Sequence, residues 1–229
     1  MEAANPHPNA QHVASPSLWW DGLERAAVAP PLETDTTADI AIIGGGYTGL
    51  WTAYFLKQIQ PDLNIALVEA KHIGHGASGR NGGWLMGALE GCDTFTDDSG
   101  MLPIEARQQL TQLVSRAAEI FAKEGIDCDF HHGGCVMAAA RHDAQVARAQ
   151  KMLASFRGLG FGEDDYRWLT PTELSDRIHV ANPGGAVFTP HVARIQPAKL
   201  VTGLARVVKS LGVRVFEHTR ASPVTSLAG

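Results

Sequence analysis

Apolar and polar positions divide the chain into segments of different period. Ile40, Ala41, Ile42 and Ile43 form a short continuous apolar run, the pattern of a strand buried on both faces of a parallel sheet. Glycines follow, then a mostly apolar segment over residues 50–59 that stops before Pro61-Asp62 and reads as a helix. A second apolar run over residues 65–68 ends in Glu69. Strand, helix and strand in about thirty residues make a βαβ unit.

Residues 74–87 are a loop dense in small side chains. Pro103 then opens a helix signalled by Leu110, Leu113, Val114, Ala117 and Phe121, and Gly125 is placed to stop it. Short strands are expected between residues 128 and 140, and a helix over 142–159. Thr170-Pro171-Thr172-Glu173 has capping-box spacing with proline at the first helical position. Residues 185–189 read as a strand. Pro197 starts a helix with Leu200, Leu204, Val207, Val208 and Leu211 on one face, Gly212 ends it, and residues 213–216 form a strand. Residues 1–35 show no period and read as a partly disordered extension. Within it Leu18-Trp19-Trp20 is too apolar to leave in water; it packs on the outside of the domain or serves partner or substrate binding.

Composition narrows the function classes. The chain of 229 residues is 45% hydrophobic and 19% charged, an ordinary soluble globular mixture. A net charge of −5 without a basic block argues against a nucleic-acid partner. Cys92, Cys128 and Cys135 have neither metal-ligand nor disulfide spacing, so a reduced, cytoplasmic setting is expected and no metal. The first basic residue is Arg25, which leaves no charged n-region for a leader. The uncharged, mostly apolar run over residues 40–56 holds four glycines and two threonines and is too short for a comfortable membrane span.

Chemistry concentrates at the first turn. Gly44, Gly46 and Gly49 fit G-x-G-x-x-G directly after a strand and opening a helix. Gly44 permits the tight turn, Gly46 lets a pyrophosphate approach the backbone, and Gly49 lets the helix lie close to the sheet. The N–H groups of Tyr47 and Thr48 then face the anion, aided by the helix dipole. Glu69 closes the second strand, where a carboxylate can accept hydrogen bonds from both hydroxyls of an adenosine ribose and repel a 2′-phosphate. With strand, helix and carboxylate in register the reading is dinucleotide binding; the alternative is a glycine-rich turn that binds nothing. NAD and FAD both present an ADP half to such a turn. The second small-residue loop separates them, because an extended flavin needs backbone close to its pyrophosphate and ring.

The run Ile42-Ile43-Gly44-Gly45-Gly46-Tyr47-Thr48-Gly49-Leu50, then Glu69-Ala70, then Gly76-Ala77-Ser78-Gly79-Arg80-Asn81-Gly82-Gly83 resembles the FAD-dependent amino acid and amine oxidoreductases. This is the family of D-amino acid oxidase and glycine oxidase, and the likeness is strongest to its γ-glutamylputrescine oxidoreductase-like branch. It runs from about residue 19 to the end of the chain. The resemblance implies an α/β fold, a Rossmann-like FAD/NAD(P)-binding domain with an inserted α+β substrate domain. Residues 1–36 would be the extension, 37–125 the first part of the FAD-binding domain, 126–190 the first part of the substrate domain and 191–229 the return segment. It implies non-covalent FAD, with Tyr47 and Thr48 at the pyrophosphate and Glu69 and Ala70 at the adenosine. Ala77, Ser78 and Arg80 would lie at the phosphates or ribitol, and Gly82, Gly83 and Trp84 at the ring end. Arg80 reads alternatively as a surface arginine and Ser78 as a turn residue bonding its own backbone. Ala221 and Val224 compete for the backbone contact to adenine, with Val224 slightly preferred.

The implied activity is oxidation of an amine or amino acid by hydride transfer to flavin, imine hydrolysis and reoxidation by oxygen or another acceptor. The implied partner is a small amine or amino acid. The family fold needs roughly twice the βαβ material present, so the chain reads as truncated, with an unpaired sheet edge. The alternatives are an inactive fragment with weak dinucleotide binding, or an NAD-dependent Rossmann dehydrogenase. No catalytic residue is assignable. His131-His132 face opposite ways on a strand, His179, His191 and His218 are isolated, and no G-x-S-x-G occurs.

Overall fold

The structure is a computed structural model that describes residues 17–23, 28–88 and 91–225. Most of the expected N-terminal extension (residues 1–16 and 24–27) and residues 226–229 lie outside the described residues. In chain order the strands and helices are β1 (Ile40–Ile43), α1 (Tyr47–Ile59), β2 (Ile65–Val68), β3 (Trp84–Met86), α2 (Ile104–Lys123), β4 (Cys135–Ala140), α3 (Asp143–Gly158), β5 (Arg167–Leu169), α4 (Pro171–Ser175), β6 (Pro183–Thr189), β7 (Val192–Arg194), α5 (Pro197–Ser210) and β8 (Arg214–Phe216). Two 3₁₀ turns matter for the site, Leu18–Trp20 and Ala77–Gly79. The chain divides into two compact units, one of residues 1–81 with 201–229 and the other of residues 82–200.

The first unit is built on a parallel sheet in the order β1-β2-β8. Ile40 pairs with Ile65 and Val68 with Phe216, so the three strands end level at their carboxyl edges. The central strand buries Ile65, Ala66 and Leu67. The expectation that residues 40–43 are buried on both faces is corrected here: Ala41 is exposed and Ile43 is 61% exposed. The exposed Ala41 and Ile43 alternate with half-buried Ile40 and buried Ile42, so β1 is covered on one face and bare on the other among the described residues. Helix α1 packs on β1 and β2 with Leu50, Ala53 and Tyr54 buried. Lys57 secures its end by donating from Nζ to the carbonyls of Pro61 and Leu63. Helix α5 carries the apolar stripe read from sequence, with Leu200, Leu204, Val207 and Val208 buried.

The second unit holds an antiparallel sheet in the order β4-β6-β5 and an antiparallel pair β3-β7. Helix α3 packs on β4 and β6. Leu102, Phe161, Tyr166 and Val187 form one core cluster, in which the rings of Phe156 and Tyr166 stack at 3.8 Å. Leu169, Leu174 and Ala186 form another. The capping box of α4 is complete: Thr170 Oγ1 accepts from the Glu173 N–H while the Glu173 carboxylate accepts from the Thr170 N–H. Those bonds lower the Glu173 pKa. Helix α2, which precedes the boundary read at residue 125, belongs to this unit, where Ala106 and Leu110 pack on the Leu102–Phe161 cluster.

The burial contrast within the parallel sheet makes a direct prediction. Leu67→Ala, in the central strand, should cost about 2–5 kcal/mol in denaturant unfolding, whereas Ile43→Ala at the edge should cost no more than about 0.5 kcal/mol.

Candidate dinucleotide site

The turn between β1 and α1 is shaped by two glycines. Gly44 has φ +110°, open to glycine, and its N–H donates to the Val68 carbonyl at 2.8 Å, so the chain leaves the sheet one residue past the strand. At Gly49 a Cβ would lie 2.1 Å from the Gly44 carbonyl oxygen and 3.1 Å from Ile42 Cγ2. Only a residue without a side chain lets the first turn of α1 approach the strand this closely.

Helix α1 is capped by Gly46, which offers no side-chain acceptor, and its first turn carries no acid. Helices α2, α3 and α4 carry Glu105, Asp143 and Glu173 there, whereas α5, like α1, carries no acid. The positive end of α1 is therefore not compensated by a carboxylate of its own first turn. A neutral hydroxyl reaches it instead: Tyr47 N–H donates to Ser78 Oγ at 2.8 Å. A Cβ on Gly46 would meet that hydroxyl at 2.9 Å, so the absence of a side chain at position 46 is what lets the second loop close on the first. Thr48 is exposed at the helix start.

Glu69 stands half-buried at the end of β2. Its Oε2 accepts from the Gly45 N–H at 2.9 Å and its Oε1 from the Lys71 N–H at 2.8 Å. Each carboxylate oxygen carries two lone pairs, so both retain a position for a further donor such as a ribose hydroxyl. Ala70 is half-buried next to it. In the second loop Ala77 is exposed, Ser78 half-buried and Arg80 exposed with its Nε donating to the Gly76 carbonyl at 3.1 Å. Thus Gly44, Gly46, Tyr47, Thr48, Gly49, Glu69 and Ser78 converge on one turn. Gly82, Gly83 and Trp84 belong to the second unit: Gly83 accepts from the Ile195 N–H at 2.8 Å and Trp84 is exposed on β3. Val224 is 83% exposed beyond β8.

Residues unassigned by sequence complete the turn. Gly45 joins it through the Glu69 bond and through its carbonyl, which accepts from the Gly74 N–H at 3.0 Å. Ile73 lies beneath, its Cδ1 2.4 Å from where a Cβ on Gly45 would be. The third glycine in a row at 44–46 was the available signal for Gly45; nothing in the pattern singled out Ile73.

Neither Cys128 nor Cys135 is an activated thiol. Burial, reinforced by Asp127 and Asp129, pushes the Cys128 thiol up to about 11, and burial also raises Cys135. His132 bonds the Pro190 carbonyl at 2.8 Å and His191 pairs with Asp165 at 2.9 Å. Among the described residues no helix is long and apolar enough to cross a membrane.

A glycine turn opening a helix without an acid in its first turn, a strand-end carboxylate with open lone pairs and a second loop closing over both define a dinucleotide-binding protein of the Rossmann type. Residues 39–228 match the family model described as FAD dependent oxidoreductase, so the chain belongs to that FAD-dependent family. The chain is 29% identical over 198 residues to gamma-glutamylputrescine oxidoreductase of Escherichia coli (strain K12), covering 84% of this chain and 44% of that protein. It is 25% identical over 191 residues to glycine oxidase of Geobacillus kaustophilus, covering 82% and 48%. The crystal structure of glycine oxidase from the same organism superposes with a TM-score of 0.60 over 79% of this chain and 46% of that one. L-amino acid deaminase from Proteus myxofaciens, 21% identical, shares the fold with a TM-score of 0.63 over 85% and 41%. The chain thus spans about half the length of the curated relatives it matches.

The geometry separates the glycines by tolerance. Gly49→Ala should cost about 1–3 kcal/mol, seen as a lowered thermal midpoint, because the methyl group meets backbone that cannot yield. Gly76→Ala, where a Cβ meets nothing within 4 Å and φ is −78°, should leave the midpoint within the error of the measurement.

Proposed function

We propose that the chain forms the ADP-facing part of the FAD site of an oxidoreductase acting on the C–N bond of an amine or amino acid. The observation that carries this reading is the N-terminus of α1, whose first turn holds no acid of its own, standing beside the half-buried Glu69 carboxylate at the end of β2 in a chain of the FAD-dependent family. The N–H groups of Tyr47 and Thr48 would hold the pyrophosphate, with Gly44, Gly46 and Gly49 giving it access. Glu69 and Ala70 would hold the adenosine, and the backbone at Val224 its adenine. Ala77, Ser78 and Arg80 would meet the phosphates or ribitol, with Arg80 adding positive charge. Gly82, Gly83 and Trp84 would line the ring end, and residues 126–190 would supply the first part of the substrate domain.

The chemistry that bound FAD would supply is acceptance of a hydride from the carbon beside the substrate nitrogen, with hydrolysis of the imine and reoxidation by oxygen or another acceptor. The residues present bind and orient; none is assigned a proton transfer. The relatives named for γ-glutamylputrescine and glycine point to small amines and amino acids as the substrate class.

Titration with FAD and with NAD tests the reading. FAD should bind with the two-band visible absorption of oxidised flavin and at least about tenfold tighter than NAD, and Glu69→Ala should weaken FAD about tenfold, the cost of losing a charged acceptor for ribose hydroxyls. Equal affinity for the two dinucleotides, or an unaffected Glu69 variant, would refute it. Peroxide release on a panel of amines and amino acids then tests the substrate class.

A further inference from the structure

The dinucleotide reading leaves one buried charge in the first unit unused. Glu217 follows β8 as Glu69 follows β2, and it is only 5% exposed. Its Oε1 accepts from the Ile73 N–H at 2.7 Å and its Oε2 from the Ala29 N–H at 2.5 Å. Two residues on, Thr219 Oγ1 accepts from the Leu32 N–H at 2.9 Å. The end of β8 therefore grips the N-terminal segment at residues 29 and 32 and, with the same carboxylate, the start of the second loop.

The 3₁₀ turn Leu18–Trp20 meets that loop as well. Trp19 Nε1 donates to the Asn81 carbonyl at 2.7 Å. The Trp20 ring meets His72 edge-on at 5.8 Å. A Cβ on Gly79 would lie 2.7 Å from Trp20 Cζ2 and 2.3 Å from the Gly74 carbonyl oxygen. A Cβ on Gly74 would lie 3.1 Å from the same ring and 2.6 Å from Val201 Cγ1. Two glycines of the second loop are thus required by a tryptophan and by the loop's own packing.

We infer that Trp20 and Glu217 are positioning residues for the dinucleotide site, the two fastenings by which the N-terminal segment and the end of β8 hold the second glycine loop over the N-terminus of α1. The inference rests on the reading of that turn as an FAD site. The path is continuous. Glu217 fixes the Ile73 N–H, Ile73 packs under Gly45, the Gly74 N–H is bonded to the Gly45 carbonyl, and Ser78 ends on the Tyr47 N–H. Glutamine at position 217 keeps the shape but offers one acceptor oxygen for two N–H groups, so one buried donor loses its partner.

The experiment compares the parent with Trp20→Ala, Trp20→Phe, Glu217→Gln and Val208→Ala, the last a core truncation in α5, seven residues beyond the Val201 that meets the loop, expected to lower the thermal midpoint. FAD affinity is read below all midpoints by flavin fluorescence, and amide hydrogen exchange is followed over residues 72–81. Trp20→Ala and Glu217→Gln should each weaken FAD about tenfold and speed exchange in 72–81. Trp20→Phe should recover most of the affinity, and Val208→Ala should keep it. Affinity losses no larger than that of Val208→Ala, or unchanged exchange over 72–81, would overturn the inference. A parent that binds no FAD would defeat the dinucleotide reading alone. Exchange over 72–81 would then decide the fastening by itself, faster exchange in both variants supporting it and unchanged exchange overturning it.

Discussion

The approach of α1 to β1 at Gly49 is the constraint from which the first unit follows. With the Gly44 carbonyl oxygen 2.1 Å from where a Cβ would sit, the helix can start only where position 49 is bare. That start fixes the direction of the first N–H groups of α1 and brings Leu50, Ala53 and Tyr54 down onto the sheet. It also leaves Gly45 at the rim, where its N–H meets Glu69 and its carbonyl meets Gly74. Packing and binding geometry are therefore one feature. A larger residue at position 49 would move the helix and, with it, every donor aimed at the turn.

Parallel pairing turns this local feature into a site. Because Val68 and Phe216 are in register, Glu69 and Glu217 leave the sheet side by side at its carboxyl edge, where the backbone has finished its ladder and N–H groups of the following turns need acceptors. Each carboxylate takes two. Glu69 takes those of Gly45 and Lys71 and stays half-buried with open lone pairs, whereas Glu217 takes those of Ile73 and Ala29 and is buried. The same residue type at equivalent strand ends is thus left half-open in one case and closed into the frame in the other.

This division explains what the sequence could and could not reveal. Continuous apolar runs and a glycine spacing are local, so β1, α1, β2 and the carboxylate at Glu69 were legible, as were the stripe of α5 and the capping box of α4. Strands β3, β5 and β7 were not, since three residues are too few to display a period and, unlike the equally short β8 after Gly212, none follows directly on a helix stop. The burial of β1 was misread because apolarity records a strand's composition, and the cover on each of its faces is set by neighbours. Trp19 and Trp20 were recognised as needing cover, but their target, a loop more than fifty residues on, has no local signature. Glu217 sits in the same relation to its strand as Glu69 does, a signal that was present without a glycine turn to draw attention to it.

The capping of α1 by Ser78 gives the arrangement its chemical sense. A carboxylate at that position would satisfy the helix end more strongly and would repel a pyrophosphate by like charge. A hydroxyl satisfies one N–H, adds no charge of its own to the helix end, and can rotate to donate toward an incoming oxygen anion. The cost is a weaker hold on the second loop by its own contact with the helix. That weakness is met from the other side by Trp20 and Glu217, which bind the loop through packing and buried hydrogen bonds that a phosphate does not contest. The second loop thus rests on the helix end through one neutral hydroxyl and is fastened elsewhere by buried contacts.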